Sequence, residues 1–159
     1  MNEKTRNLLS LLARLAVGGV FVYSGAIKAL SPAEEFAYAI ESYKVMPAAP
    51  ALWAAYAVPW IELYAGLFLA AGVYTRASGV FIGLMLVFFE LLLGQAWLRG
   101  LPITSCGCFG ASSSNSIGRE FAQNLVLLGL LWPGLRAGLR YTADAALGLL
   151  PAPKAPEAR

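Results

Sequence analysis

Histidine is absent from this sequence of 159 residues, and cysteine occurs only twice. Histidine is the commonest general base in enzymes and a frequent ligand of zinc and haem iron. Its absence excludes a Ser-His-Asp triad, and with only two cysteines the chain is a poor candidate for a structural zinc site. A glycine-rich loop of the kind that cradles phosphate is also missing. These absences remove most of the chemistry expected of a soluble enzyme.

Charge is scarce as well. Charged residues make up 13% of the chain and hydrophobic residues 58%, whereas about a quarter of the residues in a soluble domain are charged. A soluble protein of this length cannot bury so much apolar surface, but a chain surrounded by lipid has no need to. The net charge of +3 comes without a basic stripe interleaved with aromatic residues, so no nucleic-acid partner is indicated. We expect an integral membrane protein embedded in a lipid bilayer.

Four apolar stretches have the length of a membrane span, which is about 20 residues. They cover about residues 8–30, 51–73, 79–98 and 121–139. None shows the polar outer face that a helix in water needs. The first is interpreted as a membrane anchor, because Arg14 interrupts it and no convincing cleavage site follows. The sequence predicts an all-α fold, a single transmembrane four-helix bundle over residues 1–150, with a disordered tail at 151–159.

The distribution of positive residues predicts how the spans are oriented. With a cytoplasmic amino terminus, that side would carry Lys4, Arg6, Arg76, Arg136, Arg140, Lys154 and Arg159. The other side would carry Lys28, Lys44, Arg99 and Arg119, offset by glutamates. This bias predicts that both termini are cytoplasmic.

Two further patterns concern how the helices pack. Phe36, Ile40 and Tyr43 recur at helical spacing between the first two spans, which predicts a short amphipathic helix on the outer surface. Small residues predict close approach of the long helices where lipid provides no hydrophobic driving force. They are Gly18, Gly19 and Gly25 in the first span and Gly79 and Gly83 in the third.

The two cysteines, Cys106 and Cys108, are separated by one glycine in the connection between the third and fourth spans. A disulfide between them requires a bent backbone, which Gly107 and Gly110 permit, and it closes too small a loop to contribute much stability. A strained disulfide is easily reduced, which is typical of catalytic rather than structural disulfides. Reversible thiol–disulfide exchange is the first interpretation. Binding of a soft metal such as copper(I) or mercury(II) by the two thiolates is the second, and a simple packing role is the third.

Charged residues inside the spans form the other candidate site. Arg14, Glu62 and Glu90 fall within the hydrocarbon region, where ionisable groups are costly and normally face the bundle interior. Ser24, Lys28, Glu62 and Glu90 fall in the half of the bundle beneath the cysteine connection. They are candidates either for a polar pocket that moves protons or binds a quinone headgroup, or for buried ion pairs that only fix helix contacts.

Three segments together resemble the methylamine-utilisation MauE family, one of the DoxX-like four-helix membrane proteins. They are residues 23–28 (Tyr-Ser-Gly-Ala-Ile-Lys), 59–63 (Pro-Trp-Ile-Glu-Leu), and Arg99-Gly100 followed by 106–110 (Cys-Gly-Cys-Phe-Gly). The resemblance implies a bacterial inner-membrane protein that works with a periplasmic thioredoxin-like partner to form or repair disulfides of an exported enzyme.

This resemblance makes Cys106 and Cys108 the catalytic pair of a thiol–disulfide oxidoreductase on the periplasmic side. Membrane proteins similar in fold relay electrons through a second cysteine pair, which this chain lacks, so a second disulfide must belong to the partner. A quinone over Glu62 and Lys28 is the simplest candidate for the electron acceptor or donor. The alternatives are a protein that binds or transports copper or mercury through the same cysteines, and a non-catalytic membrane scaffold subunit.

Overall fold

The computed structural model of the protein describes residues 2–101, 103, 117–136 and 142–148. In these ranges the regular structure consists of helices: α1 (Glu3–Leu30), α2 (Ala33–Ser42), α3 (Ala48–Ala71), α4 (Thr75–Leu98), α5 (Ile117–Arg136) and α6 (Ala143–Ala146). The all-α prediction is confirmed for this part of the chain. The tail predicted at 151–159 lies outside the described residues.

Three of these helices, α1, α3 and α4, are long and apolar enough to cross a membrane. They correspond to the first three predicted spans. Helix α5 is 20 residues long, which is about 30 Å of helix, but its first turns contain Arg119, Glu120, Gln123 and Asn124. With these polar residues, α5 is not one of the helices that qualify as membrane spans by length and composition, so the fourth predicted span is not confirmed.

Many large apolar side chains face outward, and several charged ones face inward. Leu30 and Leu98 are 88% and 92% exposed, and large apolar side chains are exposed along all the long helices. The buried side chains include the charged residues Arg14, Lys28, Glu62 and Glu120. Water would penalise this distribution, whereas lipid favours it, because apolar surface is at no disadvantage in hydrocarbon and charges there must turn inward. The protein is therefore a membrane protein.

The four long helices pack side by side in the order α1, α3, α4, α5, with α5 also contacting α1. Their shared core consists of Val17, Phe21, Ala65, Leu69, Ile82, Leu86, Leu127 and Leu131. The short helix predicted after the first span is present as α2. It packs Phe36, Ala37 and Ala39 against Ala55 of α3, and Tyr43, just after it, is also buried.

Glycines let α1 and α3 approach closely. A Cβ atom on Gly18 would lie 2.8 Å from the carbonyl oxygen of Gly66, and one on Gly25 would lie 2.6 Å from that of Pro59. The predicted role of Gly18 and Gly25 is confirmed. The same role was wrongly assigned to Gly19, because a Cβ atom there would meet nothing within 4 Å.

Helix α4 begins at Thr75, four residues before the predicted boundary, because a distant residue caps it. The Asp144 carboxylate accepts hydrogen bonds from the Tyr74 amide at 2.8 Å, the Thr75 amide at 2.7 Å and the Thr75 hydroxyl at 2.9 Å. The Asp144 amide in turn donates to the Gly72 carbonyl at 3.0 Å. Burial opposes ionisation of Asp144, but these hydrogen bonds, helped by the charge of Arg14, outweigh it and hold the pKa of Asp144 below its ordinary value of 3.8.

Candidate functional site

A buried ion pair joins α1 to α3. The Lys28 Nζ atom lies 2.6 Å from Oε2 and 2.8 Å from Oε1 of Glu62. Ser24 completes the group, because its hydroxyl donates to Glu62 Oε2 at 3.1 Å and accepts from Lys28 Nζ at 2.9 Å. The structure thus brings together three of the four residues that the sequence predicts for the polar pocket.

Local geometry explains this arrangement. Ser24 and Lys28 are four residues apart on α1 and therefore share one face of the helix. Gly25, between them, lets the backbone of α3 approach at Pro59 and Leu63, which brings Glu62 within reach. Two aromatic rings complete the enclosure of the ammonium group, with Nζ lying 5.0 Å from the ring centre of Phe36 and 6.0 Å from that of Phe89.

A small cavity borders the ion pair. It has a volume of about 30 Å³ and is lined by Ser24, Lys28, Glu62 and Asn124, together with the apolar residues Val20, Phe21, Leu86, Phe89 and Leu127. A volume of this size has room for about two water molecules and not for a quinone ring. Binding of a quinone at Glu62 and Lys28 remains an untested prediction.

Asn124 is a member of this site that the sequence analysis missed. Its side chain is only 6% exposed, and its Nδ2 atom has no hydrogen-bond partner among the described residues. A buried amide that lines a cavity without a protein partner normally bonds to ordered water. Asn124 was detectable in the sequence, because it lies three and seven residues before Leu127 and Leu131 and so shares their core-facing stripe on α5.

Glu90, the fourth predicted pocket residue, does not join the ion pair. Both of its carboxyl oxygens are buried, and within the described part of the chain neither has a hydrogen-bond partner. Glu120 is the second residue that the sequence analysis missed. It is fully buried in the first turn of α5, one turn from Asn124.

Cys106 and Cys108 lie outside the described residues, so their predicted role is untested. On the two sides of them, Leu101, Ile103, Ile117 and Phe121 pack against a small core of Tyr43, Leu93 and Ala96. The described residues that flank the cysteines thus pack at the end of the helices nearest Glu120. No group of three potential metal ligands occurs in the described ranges.

Comparison with known proteins identifies a family. No curated protein matches the chain, and no solved structure does. The family described as methylamine utilisation protein MauE matches residues 6–137, a range that contains the buried ion pair, both cysteines and the long helices. The wider DoxX-like grouping is a prediction that this match does not address. Because the match covers most of the chain and agrees with the outward-facing apolar surface, the protein is a membrane protein of the MauE family, linked to methylamine utilisation.

Proposed function

We propose that the protein is a bacterial inner-membrane thiol–disulfide oxidoreductase, with Cys106 and Cys108 as its exchanging pair and a periplasmic thioredoxin-like protein as its partner. The observation that carries the proposal is the Cys-Gly-Cys motif itself. The chain contains no other cysteine, and both lie in the long connection between α4 and α5. Membership of the MauE family supports the membrane setting of this chemistry.

The proposed topology has four membrane crossings, with both termini in the cytoplasm and the cysteine connection on the periplasmic side. Two observations support it. Lys and Arg are in excess on the side assigned to the cytoplasm. In addition, Asp144 hydrogen bonds to the turn between α3 and α4, so the chain after α5 lies on the same side as that turn. This requires one more crossing after α4, and α5 is the helix available for it.

Thiol–disulfide exchange between the two proteins needs no further reactant, because its electrons and protons pass only between the two cysteine pairs. A thiolate of one protein attacks the disulfide of the other, forming a mixed disulfide and releasing one thiolate. The second thiol of the attacking pair loses its proton and attacks the mixed disulfide, so that one pair becomes a disulfide and the other a dithiol. Two electrons pass between the pairs, and the protons lost by one dithiol are gained by the other. No quinone is required in this step, because the partner supplies the second disulfide.

Trapping the mixed disulfide tests the proposal. Reduced single Cys106→Ser and Cys108→Ser variants, purified in detergent, are mixed with a periplasmic thioredoxin-like protein whose one retained cysteine carries a thionitrobenzoate group through a disulfide, so that the remaining thiolate of the variant can displace thionitrobenzoate. We expect a covalent complex, cleaved by dithiothreitol, with one of the two variants. The Ser113→Ala variant, altered in the same connection, serves as the matched control and should exchange thiols as the unaltered protein does.

Two results would contradict the proposal. One is normal maturation of the exported client enzyme in cells that carry the double Cys106→Ser, Cys108→Ser variant, which would favour a scaffold subunit. The other is stoichiometric, high-affinity binding of copper(I) or mercury(II) by thiols that do not react with any thioredoxin-like disulfide, which would favour a metal-binding protein.

A further inference from the structure

Buried polar groups extend beyond the Lys28–Glu62 pair toward the cysteine connection. The Asn124 side chain, only 6% exposed, lines the cavity beside Glu62 and lacks a partner for Nδ2 in the ranges that the structure describes. The two carboxyl oxygens of Glu90 on α4 are inaccessible and lack a partner in those ranges, and Glu120 on α5 is fully buried. An apolar bundle has no packing reason to retain such groups, each of which is costly in hydrocarbon.

The register of α4 against α5 places Glu90 level with Asn124. Going along α4, Gly83 faces Leu131, Leu86 and Leu127 line the same cavity, and Trp97 stacks edge-on against Phe121. The two helices are therefore antiparallel. One turn along α4 from Leu86 is Glu90, and one turn back along α5 from Leu127 is Asn124.

A second turn along α5 leads from Asn124 to Glu120, about 6 Å closer to the connection that carries the cysteines. The order of buried polar groups is then Glu62 with Lys28 and Ser24, the cavity, Asn124 with Glu90, and Glu120. Asn124 and Glu120 are about one helical turn apart on α5, a distance that a single water molecule can bridge.

We propose that Asn124, Glu90 and Glu120 extend the Lys28–Glu62 pair into a buried, hydrated proton-transfer path that runs toward the first turn of α5. Water in the cavity accepts a hydrogen bond from Asn124 Nδ2 and donates one to Glu62. The Glu90 carboxyl is held as the neutral acid, because a carboxylate that is buried without a partner is far more costly than a carboxylic acid.

The use of this path by the cysteines rests on the proposed function. When a thiol is deprotonated for attack, its S–H bond breaks and an O–H bond forms on an ionised carboxylate of the path. The same proton later passes to the thiolate that the partner releases. The path therefore stores a proton during exchange and returns it, with no net gain or loss of protons or electrons.

Infrared spectroscopy of the purified protein in lipid nanodiscs tests the path directly. We expect an absorption band of a protonated carboxyl group that is absent from the Glu90→Gln variant. On transfer to deuterated water this band should shift as the acid exchanges its proton. In the Asn124→Leu variant, whose side chain has nearly the same volume, the exchange should be at least several-fold slower because the water bridge is lost.

Gln123→Leu provides the matched control, since it makes the same change at the neighbouring position, which does not line the cavity. Asn124→Ala removes the amide but leaves room for water. The exchange rate is measured in this variant if Asn124→Leu does not fold. A spectrum in which Glu90→Gln removes no protonated-carboxyl band would overturn the proposal, as would exchange at an unaltered rate in the folded Asn124 variants. These measurements apply equally to the double Cys106→Ser, Cys108→Ser variant, so a failure of thiol exchange would leave the path standing.

Discussion

Two opposite energetic effects determine how much the Lys28–Glu62 pair contributes to stability. Each charge loses hydration when it is buried, and the attraction between them, with the hydrogen bonds of Ser24, offsets much of that loss. The pair therefore contributes less to net stability than its short distance suggests. Its members nevertheless depend strongly on each other, because either charge left alone in the bundle has no compensation.

We predict that Glu62→Leu lowers the free energy of unfolding by about 3 kcal/mol or more, since Lys28 keeps its buried charge without a carboxylate. Lys28→Met should lower the free energy of unfolding by a similar amount, because the Glu62 carboxylate then stays buried without its cation. The double Lys28→Met, Glu62→Leu variant should recover most of the loss, because it removes both charges. Thermal or denaturant unfolding in detergent micelles measures all three variants.

The control for this cycle is Glu35→Gln, which removes a carboxylate from an exposed position on α2 and should change stability by less than about 0.5 kcal/mol. If the double variant proved as unstable as the two single losses added together, the argument from uncompensated charge would be wrong. Ser24 and Lys28 would then matter for reasons other than their bonds to Glu62.

Part of this site was predictable from the sequence. Charges in an apolar span must face inward, and four-residue spacing pairs Ser24 with Lys28, so the contact with Glu62 followed from the antiparallel order of the first two spans. Asn124 and Glu120 were missed because polar residues at the start of a helix usually indicate its solvated end. Their helical spacing from Leu127 and Leu131 was the available signal, and the packing of α5 on α4 and α1 shows that both side chains face the interior.

The close contact between the helices α1 and α3 depends on glycines, which have no side chain, at the points where the two backbones meet. We predict that Gly18→Ala destabilises the protein by about 1–3 kcal/mol, since the new Cβ atom would be forced against the Gly66 carbonyl and would push the helices apart. Gly19→Ala, one residue along and facing open space, should be neutral or stabilising by up to about 1 kcal/mol through helix propensity. Thermal unfolding of the two variants side by side makes the comparison, and equal effects would contradict it.

The cap on α4 gives a prediction with a pH dependence. Asp144→Asn should cost about 1–2 kcal/mol, since an amide NH2 group replaces one of the two accepting oxygens and the hydrogen bonds from Tyr74 and Thr75 can no longer all form. The pKa of Asp144 is lower in the folded protein than its ordinary value of 3.8. The stability that it contributes is therefore fully present above that ordinary value and is lost as the pH falls through the lower folded-state pKa.

Unfolding of the unaltered protein and Asp144→Asn at a series of pH values measures this contribution. The difference in stability should be constant near neutral pH and should shrink below about pH 4. Glu34→Gln, at an exposed position on α2, is the control for general charge effects. A difference that stays constant down to the most acidic pH at which the protein still folds would show that the ionised form of Asp144 is not what caps α4.

The same cap shows where sequence reasoning about elements fails. The apolar runs predicted α1, α3 and α4, because an unbroken hydrophobic run of about 20 residues is typical of a membrane-spanning helix. The start of α4 was misplaced because the capping carboxylate lies 69 residues further along the chain, and no local signal announces it. Similarly, α5 has the predicted position but contains more polar residues than a typical span. Two of them, Glu120 and Asn124, are buried inside the bundle.

At the scale of the whole molecule, the contact between Asp144 and the turn after α3 constrains the topology. If α3 and α4 each cross the membrane, that turn lies on the side opposite the connection between α4 and α5. The segment containing Asp144 must then return to the side of the turn, and α5 is the helix that precedes it. The four-span proposal thus depends on α5 crossing the bilayer despite its polar first turns.

Cysteine labelling in spheroplasts tests this arrangement in one experiment. We expect a membrane-impermeant maleimide to label the reduced Cys106 and Cys108 from outside, because the proposed topology puts their connection on the periplasmic face. In a background lacking both cysteines, Glu35→Cys should be labelled from the same side, whereas Arg76→Cys and Leu147→Cys should react only after the membrane is permeabilised. All three positions are exposed in the fold, so differences in labelling report the side of the membrane rather than burial.

Labelling of Leu147→Cys from outside would show that α5 does not cross. Labelling of Arg76→Cys from outside would reverse the orientation of the whole molecule and place the cysteine pair in the reducing cytoplasm, where the proposed exchange with a periplasmic partner cannot occur.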